Sequence, residues 1–292
     1  MQDKTLIISF SGGRTSAYMT KLLLQEREKW KDVIVLFANT GQEDEKTLEF
    51  VNNCDVSFGY NTVWLEAKVD PEKGKGTSFE IVTYETASRD GKPFEDVIAK
   101  YGIPFTKSPH CTRELKLYPI QAYIRSLGLK KSDYKMAIGI RVDEFDRVSA
   151  TAKENSLIYP LVEHNITKQD VLNWWRGQPF DLNIPEHYGN CTWCWKKSFR
   201  KLFTLLKERP EVFEFPEKME LLYGNRGALA AKLEKEIKFF RGFKSVEDLR
   251  QMAEEGYNEF VDQHYLDISN GCSESCEVNF DETSQYELDL GT

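Results

Sequence analysis

The segment Ser11-Gly12-Gly13-Arg14-Thr15-Ser16 follows the apolar run Leu6-Ile7-Ile8-Ser9-Phe10 and precedes a helix-like stretch that begins Ala17-Tyr18-Met19. A buried strand, a glycine turn and a helix start together form a cradle for an anion. The glycines allow positive φ and close backbone approach, and the first helical N–H groups carry partial positive charge outward. Ser11, Thr15 and Ser16 add hydroxyls at the same place. The plain alternative is a strand-to-helix turn capped by Thr15 or Ser16. Further along, Gly139-Ile140-Arg141 leads through Asp143 and Glu144 to Arg147. Two guanidinium forks there suit phosphate or sulfate oxygens, with a surface ion-pair network of little energetic weight as the alternative. Asn39-Thr40-Gly41 offers small polar groups for a ribose or a base edge.

Cysteines form a second constellation. Cys191-Thr192-Trp193-Cys194 is a C-x-x-C, and Cys111 lies eighty positions earlier, directly after His110. Two thiolates three apart plus a distant third can grip one metal ion or cluster. A redox dithiol and a purely structural zinc are the competing explanations. Cys272 and Cys276 in the tail could complete such a site or act as mobile thiols, and Cys54 is expected to be a small buried hydrophobe. The basic run 195–201 could line a groove, but a solvated helix face is the simpler expectation.

The elements that must position these residues alternate in type. Apolar strands are expected at 6–10, 33–38, 62–65 and 136–140, and helices at 43–53, 94–101, 115–127 and 167–175, the last capped by Thr167 with Asp170 three residues on. Strand–helix alternation predicts an α/β fold with a doubly wound, mostly parallel sheet, and the three polar segments stand at carboxyl ends of strands, where such sheets bind ligands. Residues 70–110, rich in Gly, Lys and Pro, are expected to form an insertion, and the chain beyond 200 a helical C-terminal extension with an acidic tail. The 292 residues carry 39 Lys plus Arg against 47 Asp plus Glu, a net charge of −8. That balance argues against nonspecific coating of DNA, which needs a basic footprint. No apolar run approaches the length of a membrane span and no signal-like segment opens the chain, so a soluble, cytoplasmic protein without a membrane partner is expected. Six cysteines in such a setting favour metal or redox chemistry over a disulfide framework.

Together these features resemble the PP-loop enzymes of the adenine nucleotide alpha-hydrolase-like superfamily, and within it the phosphoadenylyl-sulfate (PAPS) reductase-like group. Ser11-Gly12-Gly13 with Ser16 looks like the PP-loop itself. Phe37-Ala38-Asn39-Thr40-Gly41 followed by Thr47-Leu48-Glu49-Phe50, then Gly139-Ile140-Arg141, Tyr159-Pro160-Leu161 and Gly189-Asn190-Cys191, are similar to that group's segments in order. Cys111, Lys116 and Pro119, with Cys191 and Cys194, match its iron–sulfur branch, while Thr112 and Leu115 stand where that branch carries a second cysteine and an arginine. Thr15 stands where ATP-using members carry an acid. Short chains with this loop look like those carried by phages and mobile elements.

The resemblance implies a nucleotide-binding PP-loop domain over residues 1–200 and the helical extension over 201–292. It implies nucleotide contacts from Ser9, Ser11, Gly12, Gly13, Thr15, Ser16, Asn39, Thr40, Gly41, Gly139 and Arg141. Sulfate or phosphate contacts would come from Lys116, Arg141 and Arg147. Cys111, Cys191 and Cys194 would hold a [4Fe–4S] cluster, or alternatively zinc. ATP, adenylyl sulfate (APS) or PAPS would be the nucleotide. In a reductase, a tail thiolate, Cys272 or Cys276, would attack the substrate's sulfur and a thioredoxin-like partner would restore it. Two other functions remain open: nucleic-acid thiolation by an ATP-pyrophosphatase, and nucleotide binding without catalysis beside a structural metal.

Overall fold

The computed structural model describes residues 3–72, 74–105 and 109–257. Its centre is a six-stranded sheet, β1 (Thr5–Ser9), β2 (Asp32–Asn39), β3 (Val63–Val69), β4 (Thr77–Val82), β5 (Tyr134–Ala137) and β6 (Leu157–Ile158), in spatial order β4-β3-β2-β1-β5-β6. All neighbours run parallel except β4, which pairs antiparallel with β3 from Trp64↔Val82 to Val69↔Thr77. The doubly wound α/β fold expected from the alternation is therefore the fold observed.

Strand alternation divides the apolar runs between two faces. Leu6, Ile8, Val33, Val35 and Phe37 join one buried cluster with Ala17, Met19 and Leu23 of α1 (Arg14–Gln25) and Leu48, Phe50 and Val51 of α2 (Glu45–Phe58). Ile7, Leu36 and Ala38 point to the opposite cluster with Ile120 and Ile124. A continuous apolar strand covered by helices on both sides is what parallel sheets require. Strand order reverses between β2 and β5 around β1, so the loops that follow β1 and β5 lie side by side at the switch point, where a crevice opens.

The 70–110 stretch is not simply an insertion, because it supplies edge strand β4 and then α3 (Lys92–Tyr101). Its glycines and lysines hid the six-residue strand, which needed β3 to run to Val69 rather than end near 65. The next helical run joins α4 (His110–Thr112), a π-helical stretch Arg113–Leu117 and α5 (Tyr118–Ser126) without a break. After β6 come α6 (Pro160–Glu163) and α7 (Lys168–Arg176), whose N-cap Thr167 and Asp170 exchange the bonds of a capping box. The C-terminal part is helical, as α8 (Phe199–Glu208), α9 (Glu214–Tyr223), α10 (Ala228–Leu233) and α11 (Val246–Glu254). It does not own a separate core. Leu202, Phe213, Met219, Phe239 and Leu249 share one buried cluster with Phe94, Ile98, Leu115, Trp193 and Trp195, so close packing crosses the boundary drawn at 200. Among the described residues no helix is long and apolar enough to cross a membrane.

Candidate functional site

β1 delivers the Ser11–Ser16 loop into the switch-point crevice. Gly12 takes φ +80°, and a Cβ there would stand 2.8 Å from Thr47 Cγ2. Gly13 is the N-cap of α1, with extended φ/ψ and no side-chain cap, so the alternative of a turn capped by Thr15 or Ser16 does not occur. Ser16 Oγ instead donates to Gly13 O at 3.1 Å, accepts from Ser11 N at 3.1 Å and lies 2.9 Å from Ser11 Oγ. The hydroxyls staple the loop into shape and leave the helix start to its own dipole. Arg14 turns away into a bidentate pair with Asp181, at 2.6 and 2.9 Å, while its carbonyl accepts from Trp175 Nε1 at 3.0 Å.

The loop after β5 forms the facing wall. Arg141 is buried and donates to Thr15 Oγ1 at 3.0 Å, tying the two loops together, and pairs with Asp143 at 3.1 Å and Glu144 at 3.2 Å. Arg147 Nη1 reaches the other oxygen of Glu144 at 2.5 Å. These arginines form a partly buried network rather than a surface one. Ser11, Gly12, Gly13, Thr15, Ser16, Gly139, Arg141 and Arg147 all line one cavity of about 230 Å³. Arg14, Thr47, Glu144, Lys168, Glu186 and Asn190 also line it, and Val171, Leu172, Leu182, Ile184 and Pro185 give it an apolar wall. Burial pushes the Glu186 carboxyl up, but the ammonium groups of Lys201, at 3.0 Å, and Lys168, at 3.4 Å, outweigh it and hold the carboxyl below its usual range. Lys168 and Glu186 carry no motif of their own. The Thr167 capping signal, which fixes where α7 begins, is what could have pointed to Lys168.

The other predicted nucleotide residues lie elsewhere. Ser9 is half-buried at the end of β1 and does not line the cavity. Asn39 Nδ2 donates to Glu66 Oε1 at 2.6 Å and to Ser88 O at 2.9 Å, so it braces the sheet end. Thr40 Oγ1 donates to Glu43 Oε2 at 2.8 Å and lies 3.4 Å from Cys191 Sγ, and the Gly41 backbone packs against Gly91. Lys116 is buried beside the cysteines rather than at the phosphate-sized cavity.

Cys111, Cys191 and Cys194 meet at a second, smaller cavity of about 20 Å³, lined also by Thr40, Thr112, Lys116, Trp193 and Trp195. The π-helical stretch that begins two residues after Cys111 is of a kind that often accompanies functional sites. Gln42, at the end of the polar segment that begins at Asn39, braces the C-x-x-C instead of a ribose or base: its carbonyl accepts from Thr192 N at 3.0 Å and its side-chain oxygen from Trp193 Nε1 at 2.5 Å. The basic run beside the C-x-x-C is not a solvated face. Lys197 is 2% exposed and donates to the carbonyls of Cys191 and Thr192, at 3.1 and 2.6 Å, and Lys201 is buried against Glu186. The C-x-x-C carbonyls hold the Lys197 ammonium inside, and the Glu186 carboxylate holds that of Lys201. His110 Nε2 lies 3.1 Å from Gly102 O and its ring does not line the cavity. Among the described residues no group of three or more His, Cys, Asp or Glu side chains is arranged to hold a metal ion. The three thiols are gathered at one cavity but not closed on a point. Cys272 and Cys276 lie outside the described residues. Cys54 is buried in the sheet cluster, and burial pushes its thiol up, as suits a core position. The two cavities are neighbours: Asn190 lines the larger one and Cys191 the smaller.

No protein-family model matches the chain. It is similar to two uncharacterized proteins of Methanocaldococcus jannaschii. One is 23% identical over 171 residues, which is 59% of this chain and 29% of the relative; the other is 26% identical over 166 residues, 57% and 32%. The uncharacterized nin-region protein ORF290 of Escherichia phage lambda is 34% identical over 283 residues, covering 93% of this chain and 94% of its own length. A match of that identity over nearly the whole of both chains makes this chain a member of the family of the lambda nin-region protein.

Proposed function

We propose that the chain is a PAPS reductase-like enzyme that binds an adenine nucleotide or sulfonucleotide and carries out sulfur chemistry beside it. One observation carries this proposal: the Ser11–Ser16 loop, Arg141 and Arg147 surround a cavity of about 230 Å³, and the next residue along from its rim, Cys191, opens the three-thiol cavity. The uncapped start of α1 and the guanidinium groups give negative oxygens two sides to bind. The apolar wall from Val171 to Pro185 suits the flat face of a base.

Cys111, Cys191 and Cys194 are the residues that would hold a metal ion or [4Fe–4S] cluster, and thiolate sulfur is the right donor chemistry for either. As the side chains stand the cavity at the thiols is about 20 Å³, room for a single ion. Such a group would supply a sulfur-binding or charge-stabilising centre next to the bound nucleotide. The chain's own part is to fix the phosphates through the loop and the arginines, and to keep the sulfur end dry beneath Trp193 and Trp195.

Nucleic-acid thiolation is the second proposal, favoured by the three thiols that the described residues bring to the cavity. Calorimetry with PAPS, APS and ATP tests nucleotide binding. The expected result is binding of at least one of them, weakened about tenfold or more by Arg141→Ala. Absence of binding by all three would overturn the proposal. Pyrophosphate release from ATP on addition of RNA or DNA would favour thiolation over reduction.

A further inference from the structure

The three-thiol cavity contains two polar groups without partners. Thr112 Oγ1 and Trp195 Nε1 have no hydrogen-bond partner among the described residues, although Thr112 is 8% and Trp195 4% exposed. Both residues line the cavity on which Cys111, Cys191 and Cys194 converge. A buried indole N–H can only donate, and leaving it unmade costs about 1–3 kcal/mol. Two such groups on residues that line one small cavity are donors available to a group bound there.

We propose that Thr112 and Trp195 are the hydrogen-bond donors to the group held by the three thiols, directed at a sulfur or oxygen acceptor on that group. This rests on the assignment of Cys111, Cys191 and Cys194 as ligands made above. A neutral threonine hydroxyl is a poor metal ligand beside thiolate, imidazole and carboxylate. Thr112 therefore acts by donating its proton rather than by replacing a fourth cysteine. The indole N–H lies one residue beyond Cys194, so both arms of the site contribute one ligand region and one donor. Donors of this kind orient the ligands and spread the negative charge of the thiolates. They are positioning residues.

The test uses the full chain, purified anaerobically and loaded with Co²⁺ in one series and with Fe²⁺ plus sulfide in another. Affinity by chelator competition and the thiolate charge-transfer spectrum are the readouts. Thr112→Val and Trp195→Phe keep shape and remove only the donors; each is expected to weaken metal retention about 10-fold or more and to shift the charge-transfer band. Thr112→Ser, which keeps the hydroxyl, is expected to restore both. If the wild-type chain retains neither metal, the thiol-site assignment itself fails. If the wild type binds while Thr112→Val and Trp195→Phe bind equally tightly with the same spectrum, the donor proposal alone is overturned. Circular dichroism of each variant separates loss of metal from loss of fold.

Discussion

Gly12 holds φ at +80°, with a would-be Cβ 2.8 Å from Thr47 Cγ2 and 3.1 Å from Phe37 Cε2, whereas at Gly13 the nearest atom to such a Cβ is Ser11 Oγ at 3.9 Å. Neighbouring glycines thus carry different constraints. Gly12 is needed by the fold, since any other residue meets both a left-handed backbone and the α2 side chain. Gly13 sits in extended conformation at the cavity wall, where a methyl group harms nothing but the approach of a ligand. Gly12→Ala is expected to lower unfolding stability by about 1–3 kcal/mol. Gly13→Ala is expected to leave it within about 0.5 kcal/mol while weakening nucleotide binding roughly tenfold. Thermal denaturation and calorimetry on the two variants check the pair. Equal nucleotide affinity in Gly13→Ala would show that the loop backbone is not what holds the phosphates.

Elements were legible in proportion to how far their own residues dictated them. The run Leu6-Ile7-Ile8 announces a strand buried on both faces, and Thr167 with Asp170 announces the start of α7, because those signals are local. Strand β4 was not legible: its exposed alternation and flanking glycines make sense only against β3. The inward-facing lysines 197 and 201 were missed for a related reason, since their partners are carbonyls and a carboxylate placed by other elements. In α9, Glu220 shows the same dependence on distant partners. Its carboxyl accepts Phe239 N at 3.0 Å and Val246 N at 3.2 Å, fastening α9 to the start of α11. Burial, only partly offset by those two N–H groups, pushes it up to about 7 from an ordinary 4.5. Between those two pH values the folded chain keeps a proton that the unfolded chain has released, so stability falls as pH rises through that window and levels off above it. Chemical denaturation across pH is expected to show the advantage of wild type over Glu220→Gln shrinking by on the order of 3 kcal/mol from pH 4.5 to 7. A pH-independent difference would mean that Glu220 titrates normally.

At the scale of the whole molecule, the sheet and its two covered faces could be read from alternation, but the unity of the chain could not. Motifs end near residue 200 and the remaining helices have no chemistry of their own, which invites a domain boundary there. The packing runs across that point. Trp193 rings contact Phe94, Phe215 and Phe239 at centroid distances of 5.4, 5.7 and 4.9 Å, joining the C-x-x-C to α3 and to the C-terminal helices. Leu202, Leu205, Phe213, Met219, Phe239 and Phe240 are all buried in that cluster. Each such side chain stabilises the fold by about 1.5–3 kcal/mol, against a total stability of about 5–15 kcal/mol for a typical protein. Cutting the chain after residue 200 would remove all six and uncover the faces they pack on. A fragment of residues 1–200 is therefore expected to lack cooperative unfolding and near-ultraviolet dichroism, while the full chain unfolds in a single transition. A soluble 1–200 fragment with a sharp melt and a native-like tryptophan environment would establish the boundary as a true domain limit. It would also show that the two cavities stand without the helices now packed behind Trp193.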